Sequence, residues 1–255
     1  MAWTKSKEEI EILRETGKLH ARILSDLAQM VKPGVTTKQL DEYAEKEVRD
    51  AGDEPAFLHY RPEGMSIPYP ASLCVSVNDE IVHGIPTKDN VLKDGDLVSL
   101  DLGIKHQGLI TDAAITVPVG KVSKELRTLI DVTQGALMAG IDVAQVGNTI
   151  GDIGFAISDY VRPHKYGVIR ELGGHGVGHE VHEEPFIANF GKKGTGYDLE
   201  VGMVFALEPM FTLGKPHISL LGDGYTIVSQ DHSWSAHFEH TIAITEDGPV
   251  ILTEK

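Results

Sequence analysis

The segment Asp96-Leu-Val-Ser-Leu-Asp-Leu-Gly-Ile-Lys-His-Gln-Gly-Leu-Ile-Thr-Asp-Ala-Ala-Ile-Thr-Val117 constrains this chain more than any other. One set of alternate residues is apolar: Val98, Leu100, Leu102, Ile115 and Val117. The other is small or polar: Ser99, Asp101, Gly103, Asp112 and Ala114. A period of two marks a strand with one face on the core, so the segment is expected to be a β-hairpin. With His106 and Gln107 as the turn, Asp101 stands directly opposite Asp112. Opposite residues of an antiparallel pair hold their Cβ atoms roughly 4.5–5.5 Å apart on one face, where like charges are destabilising. Two carboxylates in one site stay ionised only beside a counter-charge, and a metal ion is the simplest. The plainer alternative is a hairpin whose polar face meets water.

Two further carboxylates repeat the design. Glu208 ends the run Val201-Gly-Met-Val-Phe-Ala-Leu-Glu-Pro, sharing a face with Gly202, Val204 and Ala206. A carboxylate at the end of so apolar a strand is expected to be buried, and a buried charge needs a partner. Glu239 shares its face with His237, Thr241 and Ala243, while Phe238, Ile242 and Ile244 take the other. Histidines cluster in Gly173-Gly-His-Gly-Val-Gly-His-Glu-Val-His-Glu-Glu-Pro185, where glycines let other groups approach the backbone. The pattern does not choose among His175, His179 and His182 as the ligand. His83, before Gly84-Ile-Pro86, is a weaker candidate. Four carboxylates and one imidazole can neutralise two divalent ions. The chemistry implied is hydrolysis at two metals roughly 3.5–4 Å apart.

The rest of the chain sets bounds. Its 255 residues, 41 % hydrophobic and 24 % charged, give an ordinary globular composition. A net charge of −15 excludes nucleic-acid binding through the overall field. The best basic fragment, Gly191-Lys-Lys-Gly-Thr-Gly196, lacks P-loop spacing and reads as a solvated loop. Cys74 is the single cysteine, so no intrachain disulfide forms, which fits a reducing compartment. The N-terminal stretch is charged where a signal peptide would be apolar, and no apolar run is long enough for a membrane span.

Helical spacing runs from about residue 5 to 31, ending at Pro33-Gly34, and a second helix capped by Thr36 or Thr37 stops near Gly52. A proline-rich loop from Pro55 to Pro70 precedes strands at Leu73–Val77 and Ile81–Ile85 and then the hairpin. Ser123 caps a third helix and Gly147-Asn148 precedes a fourth. Strands are expected near 166–170, 180–182, 201–208, 218–230 and 237–244. Helices then strands, twice over, argue for an α+β fold in a single catalytic domain, 1–255, with similar halves of about 1–120 and 121–255.

With these residues in hand, the chain resembles the methionine aminopeptidases of type I over nearly its whole length. The resemblance rests on Asn78-Asp-Glu-Ile-Val-His-Gly-Ile-Pro86, the Asp101/Asp112 pair, Gly174-His-Gly-Val-Gly178 with His182-Glu-Glu-Pro185, Leu207-Glu-Pro-Met210 and Phe238-Glu-His-Thr241. It implies the pita-bread fold, pseudo-twofold halves with helices packed on a curved antiparallel sheet. It also implies a cytoplasmic, monomeric enzyme with two divalent metal ions drawn from Co, Mn, Fe and Zn. Asp101 would chelate one metal, Asp112 and Glu239 would bridge, and His175 and Glu208 would complete the second. Glu208 would shuttle the proton, His182 would bind the oxyanion, and His83 would contact the substrate amide. Tyr69, Cys74, Val181, Met210 and Tyr225 would form the methionine pocket. The substrate would be a nascent-chain N-terminus with a small second residue, as this chain's own Ala2 would provide, and the ribosome is a candidate partner. The family often has larger aromatic groups at 181 and 225, the loop 61–68 departs from its pattern, and His179 stands where a basic or polar residue is common. The alternatives are a proline-specific (X-Pro) aminopeptidase or dipeptidase on the same fold, and a non-catalytic binding protein.

Overall fold

A computed structural model of the chain describes residues 4–62 and 67–254. The helices are α1 (Lys7–Met30), α2 (Thr37–Asp50), α3 (Lys124–Asp142) and α4 (Ile150–Val161). The strands begin with β1 (Glu54–Pro55), β2 (Leu73–Val77), β3 (Glu80–Val82), β4 (Leu97–His106) and β5 (Leu109–Pro118). They continue with β6 (Gly167–Val168), β7 (Gly173–Gly176), β8 (Glu183–Ala188), β9 (Val204–Leu207) and β10 (Met210–Thr212). The last are β11 (Ile218–Leu220), β12 (Ile227–Ser229), β13 (Ser235–His237), β14 (Glu239–Thr245) and β15 (Gly248–Ile251). Helices start where a hydroxyl can take an orphaned N–H. Ser6, Thr36 and Ser123 accept from the amides of Glu9, Gln39 and Leu126, each cap contributing about 1 kcal/mol.

One antiparallel sheet dominates, in the order β1-β4-β5-β14-β9-β7-β8, with β2 also on β4 and β15 on β14. Two three-stranded sheets, β13-β10-β6 and β11-β12-β3, flank it. The period-two pattern sends alternate residues to opposite faces. Val98, Leu100 and Leu102 pack under α1 and α2 with Leu24, Leu27 and Leu40. Phe205, Leu207, Ile242 and Ile244 pack under α3 and α4 with Leu129, Leu137 and Ile153. Helices therefore cover one face of the sheet, and Asp101, Asp112 and Glu239 are left on the other. This is the pita-bread α+β fold.

The hairpin turns one residue later than the sequence reading places it. Gln107 and Gly108 are the central pair, both at positive φ (49° and 85°), and His106 pairs with Leu109. A tight two-residue hairpin turn wants left-handed residues at both positions, and glycine takes one of them without cost. The register shifts accordingly: Asp101 lies opposite Ala114 and Asp112 opposite Gly103. The two acids share a face diagonally instead of facing directly.

Other boundaries move as well. The strand expected at Ile81–Ile85 ends at Val82, because His83 adopts φ 59°. In place of a strand near 180–182 the chain forms β8 from Glu183. The expected strand 218–230 is two, parted by a turn in which the Asp223 carboxylate accepts from the amides of Tyr225 and Thr226. Residues 237–244 divide between the last residue of β13 and most of β14. Part of the 61–68 loop, residues 63–66, lies outside the described residues, as does Ala2.

His20 of α1 is fully buried against the hairpin, its Nδ1 3.1 Å from the Thr111 hydroxyl. Burial pushes its pKa down to about 3, and nearby His240 adds to the fall. The fold holds the neutral ring, so this stability is complete above the unfolded value near 6.5 and is lost as pH falls towards 3. Wild-type unfolding free energy should therefore lose about 1.4 kcal/mol per pH unit between pH 6 and 4 from this group. Urea titrations of His20→Gln should show a slope shallower by that amount. Parallel slopes would contradict it.

Candidate metal centre and substrate cavity

Each acid is placed by its strand and given room by a small neighbour. Asp101 on β4 lies between Cys74 on β2 and Ala114 on β5. Asp112 on β5 faces Gly103, and a Cβ there would come within 2.6 Å of the Phe57 ring, so glycine is what lets Phe57 lie over this face. Glu239 on β14 also pairs with Ala114, and His175 on β7 pairs with Ala206. Where β5 and β14 part beside the site, the Thr241 hydroxyl takes over from the ladder. It accepts from the Asp112 amide at 2.8 Å and donates to the Asp112 carbonyl at 2.7 Å.

The side chains converge. Ligand atoms of Asp112, His175 and Glu239 all lie within 4.8 Å of one another. Glu208 Oε1 is 3.6 Å from His175 Nε2. Asp101 and Asp112 each keep a buried oxygen, Oδ1, with no partner. Orphaned buried carboxylate oxygens on the wall of one cavity are what a bound cation would satisfy. The His175 tautomer agrees. Its Nδ1 donates to the Gly176 carbonyl at 2.9 Å, leaving the Nε2 lone pair free as a ligand.

Electrostatics tell the same story from protein atoms alone. Burial pushes the Asp101 carboxyl up to about 7, with Glu208 adding to the rise and His237 opposing it. Burial first, then the neighbouring acids, holds Asp112 and Glu239 well above the carboxylate range, and burial does the same for Glu208. Burial lowers His175 to about 3 and His83 to about 4. Without a cation these groups are driven to neutrality. A divalent cation reverses that drive, and carboxylates mixed with an imidazole suit a transition metal.

One cavity of about 300 Å³ gathers Tyr69, Cys74, His83, Asp101, Asp112, His175, Val181, His182, Glu208, Tyr225 and Glu239 on its wall. Of the pocket residues expected from the sequence, Met210 does not join them. It is fully buried with Ile81, Val82 and Ile169 and lines an adjoining cavity, because β10 turns away after Pro209. His179 is also outside, exposed and 2.7 Å from Glu9. The cavity adds Phe57, Tyr60, Leu220 and Ile227, which the sequence reading missed. Tyr60 bonds His182 Nδ1 at 2.9 Å.

The profile of metallopeptidase family M24 matches residues 11–246. A methionine aminopeptidase of Aquifex aeolicus is 46 % identical over 253 residues, covering 98 % of this chain and 97 % of its own. The chain belongs to the methionine aminopeptidases of family M24. A crystal structure of the Thermotoga maritima methionine aminopeptidase superposes with a TM-score of 0.95 at 40 % identity, covering both chains completely. The prolidase of Pyrococcus furiosus shares only the fold with this family member, at a TM-score of 0.77 and 22 % identity, over 99 % of this chain and 66 % of its own.

Proposed function

We propose that this chain removes the N-terminal methionine from polypeptides whose second residue is small. The observation that carries the reading is the convergence of Asp101, Asp112, His175, Glu208 and Glu239 on one cavity, with orphaned aspartate oxygens at its base. Asp101, Asp112 and Glu239 would hold one divalent ion, and Asp112, Glu239, His175 and Glu208 a second. Such ions, when bound, supply a low-pKa water and polarise a carbonyl.

The protein's own groups do the rest. Glu208 reaches the cavity from the strand end and is held protonatable by burial, which suits it to move a proton between water and the leaving amine. Tyr60 Oη lies 2.9 Å from His182 Nδ1; with the tyrosine as donor, His182 keeps its proton on Nε2, the tautomer that can donate to a developing oxyanion. His83, held in a left-handed backbone conformation at φ 59°, presents its ring beside it for the substrate amide. Tyr69 and Tyr225, edge to face at 5.2 Å, close the apolar end with Cys74, Val181 and Leu220. An unbranched thioether side chain fills such a pocket with little strain.

The family supports a cytoplasmic setting where nascent chains emerge from the ribosome. Cleavage of Met-Gly-Met should exceed that of Ala-Pro peptides by at least about 10² in kcat/KM. Equal rates, or a preference for Ala-Pro, would overturn the methionine reading in favour of the proline-specific one.

A further inference from the structure

His237 closes β13 and is 1 % exposed. Neither ring nitrogen has a hydrogen-bond partner. Its Nε2 faces two acids at once, 3.5 Å from Glu208 Oε2 and 3.9 Å from Glu239 Oε2. The backbone beneath it is clamped. The Thr116 hydroxyl accepts from the His237 amide and donates to the His237 carbonyl, each at 2.8 Å, and Thr116 is tied in turn to Ser99 at 2.8 Å. Ser99 and Thr116 are thus the floor on which this ring stands.

We infer that His237 is a positioning residue that holds the carboxylates of Glu208 and Glu239 in place by donating an Nε2 hydrogen bond between them. With a cation bound, both glutamates are ionised and accept only, so the ring nitrogen that faces them must carry the proton; a lone pair there would meet two others. At 3.5 and 3.9 Å the nitrogen sits just outside hydrogen-bond range of both, and a small rotation of either glutamate closes a contact. Carboxylates that ligate metals depend on such outer hydrogen bonds, and losing one typically weakens metal affinity 10–100-fold. Glu208 follows the end of β9 and Glu239 begins β14, the strand beside it, so one imidazole spanning them also fixes their mutual distance.

The inference rests on the metal reading above, and calorimetric titration with Co(II) alone separates the two. A wild type that binds no Co(II) defeats the metal reading itself. Given wild-type binding, His237→Leu should bind Co(II) about 10–100-fold more weakly, with an altered visible Co(II) spectrum and an unchanged fold. His237→Gln, whose amide also donates, should recover most of the affinity. Equal affinity in wild type and His237→Leu, or no recovery by His237→Gln, would overturn the proposal. Nitrogen-15 spectra of histidine-labelled wild type decide independently of either variant's folding. With Zn(II) bound, His237 Nε2 should keep its proton; a deprotonated, metal-shifted Nε2 would make His237 a ligand and refute the positioning role.

Discussion

Glu208→Gln is expected to lower kcat on a Met-Ala peptide by about 10³-fold or more while leaving the fold intact. The substitution is isosteric, and burial already drives the Glu208 carboxyl towards its neutral form. A neutral amide therefore fits the metal-free site without a new desolvation cost. What it cannot do is accept a proton, and it is a poor ligand beside His175, 3.6 Å away. Metal content measured on the variant divides the two roles. Loss of rate with full metal content assigns proton transfer, and loss of one equivalent assigns ligation. Activity within tenfold of the wild type would remove Glu208 from both.

Asp112→Asn should act on stability with opposite signs in the two metal states. In the chelated protein, burial and the Asp101 and Glu208 charges hold the Asp112 carboxyl well above its unfolded value. A raised acid binds its proton in the folded chain and loses it on unfolding, so metal-free stability falls as pH rises past about 4. Removing that group should raise the metal-free melting temperature at pH 7.5 by about 5 °C, from relief of about 2 kcal/mol. Saturating metal should stabilise the wild type by about 3 kcal/mol at a hundred times Kd, and the variant far less. The two melting curves should therefore cross on metal addition. A variant less stable than the wild type in both states would show that Asp112 serves the fold and not a cation.

Much of this was legible in the chain. The period-two pattern of Val98–Val117 placed Asp101 and Asp112 on one face, and the polar face did prove to be enclosed by protein. The turn lies one residue later than the alternation alone places it because Gly108 is the residue best suited to positive φ. β7 was invisible for a different reason. Gly173-Gly-His-Gly176 has neither alternation nor β-branched residues, and it is a strand only because β8 and β9 pair with it closely. His237 was seen on the Glu239 face, but nothing local announces Glu208 as its neighbour. Tyr60 and Phe57 sit in a proline-rich loop without periodicity, so their approach to His182 and Gly103 appears only once the chain is folded. Met210 shows the converse. Its motif matches the family, yet it is fully buried among Ile81, Val82 and Ile169 and lines the adjoining cavity that shares His83, His175 and Glu208 with the first.

Hydrolysis of Met-Gly-Met by chelated protein, followed while Mn(II) or Co(II) is titrated back, probes the metal centre most directly. The shared site predicts no turnover after chelation, recovery on metal addition, and no recovery in Asp112→Asn. Full turnover in the thoroughly chelated wild type, with no bound metal detectable, would contradict it.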